Sequence, residues 1–73
     1  LITSEKENVL KLFAEGRALY KEQRFREAYE RFNSALVIDA NDGPSKLYRA
    51  RCKHYMDNPP GPGWDGVFTA TSK

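Results

Sequence analysis

Phe25-Arg26-Glu27-Ala28-Tyr29-Glu30-Arg31-Phe32-Asn33-Ser34-Ala35-Leu36 is the stretch that decides the fold. Phe25, Ala28, Tyr29, Phe32, Ala35 and Leu36 recur at steps of three and four, which lines them up along one side of an α-helix. Glu27, Glu30, Arg31 and Asn33 fall on the opposite side. The pattern predicts a helix over about residues 26–38, and so continuous an apolar stripe must pack on something.

Upstream, Val9, Leu12, Phe13, Gly16, Leu19 and Tyr20 repeat the helical spacing, with Lys11, Glu15, Arg17 and Lys21 between them. Thr3-Ser4-Glu5-Lys6-Glu7 has the form of a capping box, in which Ser4 accepts from the Glu7 N–H while Glu7 reaches back. An amphipathic helix over about residues 5–22 is therefore expected. Gln23-Arg24 contains neither Gly nor Pro, so the break there is inferred from the pattern restarting at Phe25.

Downstream, Ala40-Asn41-Asp42-Gly43-Pro44 reads as a turn, with Asp42 or Gly43 as cap and Pro44 in the first helical turn, where its missing N–H costs nothing. A third helix over about residues 44–57 carries the stripe Leu47, Tyr48, Arg51, Cys52 and Tyr55. Asn58-Pro59-Pro60 stops it, because a proline disfavours helical geometry in the residue before it. Residues 1–58 thus form one three-helix module. Residues 59–73 form a stiff Pro59-Pro60-Gly61-Pro62-Gly63 strap followed by Trp64-Asp65-Gly66-Val67-Phe68, a tail too short to fold alone.

Apolar residues make up 40% of the chain and charged ones 30%, a balance suited to a few amphipathic helices. The longest uncharged run in the helical part, Phe32 to Ile38, is far shorter than the roughly 20 apolar residues that span a bilayer, so no membrane contact is expected. A net charge of +2 is too small to mark a nucleic-acid or anionic-lipid surface. The lone Cys52 has no partner for an intramolecular disulfide and fits a reducing, cytoplasmic compartment. The chain begins at Leu1 without a signal pattern and reads as a piece of something longer.

Gly16 and Ala28 are twelve residues apart, Ala28 and Phe32 four, and Phe32 and Ala35 three, with Tyr20 and Phe25 flanking the turn. This arrangement resembles a tetratricopeptide repeat, although Ala40 stands where proline is usual and Glu15 where leucine is usual. The resemblance implies an all-α fold: a tetratricopeptide-like helical hairpin, a third helix capping it, and an extended aromatic C-terminal tail. Small residues at Gly16 and Ala28 would let the antiparallel helices approach, with Phe32 and Tyr20 filling the space beside them. One repeat leaves an apolar face that wants a neighbour.

Asp42-Gly43-Pro44-Ser45, Leu47-Tyr48, Arg51-Cys52, Tyr55, Asn58-Pro59-Pro60 and Trp64-Asp65-Gly66-Val67-Phe68 before Lys73 together look like the C-terminal end of bacterial class III adenylate or guanylate cyclases. In that family a repeat-like segment follows the cyclase domain. The resemblance implies a non-catalytic accessory or regulatory module, with the metal-binding aspartates lying upstream and with the cyclase domain or a second subunit as protein partner. A homodimer fits the same reading. An independent scaffold module that docks a partner peptide is the alternative.

No constellation for catalysis, metal or cofactor binding appears. Cys52 and His54 are two apart, which on a helix points them roughly 200° away from each other, so they cannot act as a pair. Lys21, Arg24 and Arg26, and likewise Lys46, Arg49 and Lys53, read as solvated charge. Lys11, Phe13 and Arg17 on the first helix give a peptide-carboxylate clamp little support. The candidate interaction residues are Gly16, Tyr20, Phe25, Ala28, Phe32, Ala35, Tyr48, Arg51, Tyr55, Trp64 and Phe68. Trp64 and Phe68 read either as a latch on their own helices or as an anchor for another domain.

Overall fold

The computed structural model describes residues 4–64 and residue 66. Three helices follow one another: α1 (Ser4–Lys21), α2 (Phe25–Ile38) and α3 (Gly43–Asp57). Among the described residues there is no strand, and no helix is long and apolar enough to cross a membrane. The fold is all-α, a helical hairpin plus a third helix.

Each boundary has a local cause. Ser4, the expected cap, is already helical, and the residues before it lie outside the described ones. α1 ends in a Schellman pair, Arg24 N–H to Leu19 O at 2.9 Å and Gln23 N–H to Tyr20 O at 3.0 Å. That motif needs a left-handed residue, and here it is Gln23, with φ +64°, in place of the usual glycine. α2 closes through Asp39 N–H to Ala35 O at 2.9 Å. Asp42 is the cap of α3: its carboxylate accepts from the Ser45 N–H at 3.1 Å and from the Ser45 hydroxyl at 2.6 Å. Pro44 lies in the first turn.

α2 is the central element. It packs extensively on both α1 and α3, whereas α1 and α3 share few contacts. Ala28, Phe32 and Ala35 are fully buried on it, and Cys52 and Ser45 are fully buried on α3. α1 and α2 approach closely at Gly16: a Cβ built there would meet the Phe32 ring at 2.6 Å. Glycine is required because the ring occupies the volume a side chain would need.

The α3 stripe differs from the expected one. Leu47 is 50% exposed, whereas Ser45 is fully buried and Cys52 and Tyr55 are buried. The inward line is Ser45, half-buried Tyr48, Cys52 and Tyr55, at steps of three and four, and Leu47 lies roughly 100° off Tyr48. Ser45 can enter the core because its hydroxyl donates to Asp42, which removes the cost of burying it.

Gly16→Ala should lower the Tm. Overpacking typically costs about 1–3 kcal/mol, and the Phe32 ring that would have to shift is fully buried. Phe32→Leu in the same chain should recover part of the loss, although alone it destabilises by leaving a cavity. Thermal and urea denaturation of the two single variants and the double variant measures this; strictly additive losses would place the limiting contact elsewhere.

Candidate functional site

Seven aromatic rings run as one connected cluster through the three helices. Phe32 of α2 stacks on Tyr48 of α3, with centroids 5.5 Å apart and planes at 23°. Phe13 of α1 meets Phe32 at 5.6 Å and Tyr48 at 5.4 Å. Tyr48 passes the cluster to Tyr20, edge-on at 5.2 Å. Tyr20 contacts Phe25 at 5.6 Å and Tyr55 at 6.1 Å, and Phe25 and Tyr55 are 4.9 Å apart. Trp64 completes the cluster, 5.2 Å from Tyr20, 5.5 Å from Phe25 and 5.2 Å from Tyr55. Tilted and edge-on pairs of this kind each contribute about 0.5–1.5 kcal/mol beyond their area burial.

Trp64 reaches this place because the chain turns back after α3. Asn58 ends the helix with its N–H on His54 O at 2.8 Å, and Gly61 takes φ +91°. The Gln23 side chain donates to Gly61 O at 2.9 Å, so the residue that makes the α1–α2 turn also clips the strap. The indole is partly buried and packs against the core cluster, as does Met56.

Two guanidinium groups flank Tyr48: Arg51 at 5.1 Å from its ring centroid and Arg17 at 5.8 Å. Contacts of this type are worth about 0.5–1 kcal/mol at exposed sites. The Tyr20 hydroxyl is fully enclosed and has no hydrogen-bond partner among the described residues. Its pKa is pushed up from 10.0 to about 12, first by burial and next by Tyr55, with Arg51 opposing. Burial also pushes the Cys52 thiol up from 9.0 to about 12, which makes it an inert core residue. His54 is exposed while Cys52 is buried, and among the described residues no group of His, Cys, Asp and Glu is arranged to hold a metal ion.

The surface charges are handled locally. Arg24 makes a bidentate pair with Glu27, at 2.7 and 2.8 Å, and approaches Glu22 at 3.6 Å. Arg31 lies 3.4 Å from Glu15, and Arg49 donates to Asn33 at 3.0 Å. Such exposed pairs add little stability.

Of the residues singled out in the sequence, Tyr20, Phe25, Phe32, Tyr48, Tyr55 and Trp64 meet in the ring cluster; Ala28 belongs to the same core, and Arg51 covers the Tyr48 ring. Gly16 forms the α1–α2 contact. Ala35 is buried but stands apart from this cluster, further along α2. Phe68 lies outside the described residues. Phe13 and Gln23 were not among the candidates. Phe13 carried a signal, lying on the α1 stripe one turn before Arg17; Gln23 carried none, because its role rests on a left-handed backbone and a contact 38 residues away. Comparison with protein-family models, curated proteins and solved structures returned no match.

A phenol whose pKa is higher in the folded than in the unfolded chain binds its proton more tightly when folded. Tyr20 therefore contributes stability that is complete below pH 10 and lost as pH rises towards about 12. Tyr20→Phe should leave the Tm at neutral pH unchanged or higher, since it removes a buried hydroxyl lacking a protein partner, and should flatten the loss over that window. Urea midpoints from pH 8 to 12 for both chains test it, the Cys52 contribution being common to the two. Trp64 is the sole tryptophan, so its fluorescence reports the latch directly. Its emission should be blue-shifted and its quenching by acrylamide weaker than that of free N-acetyltryptophanamide; equal quenching would show an undocked tail.

Proposed function

We propose that this chain is a non-catalytic accessory module, of tetratricopeptide type, of a class III adenylate or guanylate cyclase. It acts through protein contacts, with the cyclase domain or a second subunit as partner, on the cytoplasmic side. One observation carries the reading. The repeat-like half of the sequence supplies Tyr20, Phe25 and Phe32, the cyclase-like half supplies Tyr48, Arg51, Tyr55 and Trp64, and all seven lie in one contiguous cluster. Two resemblances drawn from different residues thus converge on one physical unit. The aromatic packing explains why the tail belongs with the helices: a short hairpin module has little core of its own, and the indole adds apolar area that the helices leave uncovered.

The encoding gene is the direct test. An in-frame class III cyclase domain, with its two metal-binding aspartates, is expected upstream of Leu1; a reading frame without one favours an independent scaffold module. The purified chain with ATP or GTP and Mg²⁺ or Mn²⁺ should form no cyclic nucleotide, and measurable turnover would overturn the accessory role.

A further inference from the structure

We propose that the end of the bundle where α1 begins, α2 ends and α3 begins is a docking surface for a basic, aliphatic segment of a partner protein. Among the described residues, the exposed large apolar side chains all stand at this end. Leu10 is in the second turn of α1, Val37 and Ile38 in the last turn of α2, and Leu47 in the second turn of α3. They are 53%, 81%, 38% and 50% exposed, respectively. At the opposite end Tyr20, Phe25 and Tyr55 pack on one another and on Trp64. Apolar side chains exposed singly over a surface need no explanation, whereas several gathered at one place and rimmed by charge mark a contact surface.

This surface has both a shape and a sign. Val9, Leu10 and Ile38 line a hollow of about 320 Å³, and Asp42, the cap of α3, closes one side of it. Val9 is buried, so the floor is fixed by the core, while Leu10 and Ile38 are walls that a partner can cover. Glu5, Lys6 and Asp39 complete the lining, which therefore holds three carboxylates against one ammonium on a chain whose net charge is +2. Asp42 is committed to Ser45. Glu5 and Asp39 are exposed and, among the described residues, make no ion pair, whereas Glu15, Glu22 and Glu27 each face an arginine. The occupant that complements this end offers aliphatic side chains to Leu10 and Ile38 and a lysine or arginine to Glu5 and Asp39. It need not be a cyclase domain, so the surface does not depend on the function proposed above.

The test titrates the ¹⁵N-labelled chain with acetyl-KLLKLLK-amide and, separately, with acetyl-ELLELLE-amide. The basic peptide should saturate, move the amide signals of Val9, Leu10, Ile38 and Asp39, and bind about tenfold tighter than the acidic one. That order is diagnostic, because a net charge of +2 by itself attracts the acidic peptide. Leu10→Gln and Ile38→Gln, both at exposed positions, should keep the helical circular dichroism and each weaken binding of the basic peptide severalfold. Glu5→Gln combined with Asp39→Asn should abolish the preference for the basic peptide. No saturable shift at millimolar basic peptide, tighter binding of the acidic peptide, shifts centred on Tyr20 and Tyr55, or an undiminished preference in the double carboxylate variant overturns the proposal.

Discussion

The Phe32 ring lies where a side chain at Gly16 would be, and this single close approach sets the spacing of α1 and α2. The consequences spread from there. Phe32 can be fully buried only because α1 comes in close, and once buried it offers a flat face on which Tyr48 of α3 stacks. Tyr48 in turn presents its ring to Tyr20, and Tyr20 forms one wall of the seat for Trp64. A glycine in α1 is therefore linked through three rings to a tryptophan beyond α3. Glycine in a helix interior costs about 1 kcal/mol relative to alanine, a cost offset here by the packing it permits.

The turns follow a second logic, in which polar side chains do backbone work and also join elements. Gln23 holds a left-handed conformation that costs a non-glycine residue about 1–2 kcal/mol. A glycine would adopt it freely, yet would have no amide to donate to Gly61. Asp42 has the same double character, capping α3 through the Ser45 N–H while allowing the Ser45 hydroxyl into the core. In both places one residue meets a local conformational requirement and also serves the packing of the chain: Gln23 through its bond to Gly61, Asp42 by satisfying the buried Ser45 hydroxyl.

Helix number, order and approximate bounds were legible in the sequence because each rests on local rules: the three-and-four spacing of Phe25, Ala28, Phe32 and Ala35, the proline at position 44, and the Pro59-Pro60 stop. Gly16 and Ala28 were legible too, since small residues on otherwise bulky stripes point to close packing. Leu47 was misread as core because hydropathy alone does not reveal phase on a weakly amphipathic helix; the phase was set by Ser45, a polar residue satisfied by its cap. The Gln23 clip was invisible because it depends on tertiary geometry. For Trp64 the sequence left a latch on the helices and an anchor for another domain both open; its seat at the turn end, walled by one ring from each helix, follows from where the strap bends at Gly61 and was not readable beforehand.

The route of the strap also determines how the chain bears load. Tension arriving from the C-terminal side meets the indole in its box before it meets α3, and the Pro–Gly segment between them holds a bend in reserve. Straightening that bend lengthens the chain between α3 and Trp64 without changing a helix. The seat thus stands in series with the bundle, held by contacts of the indole with three rings and, among the described residues, by the Gln23–Gly61 hydrogen bond.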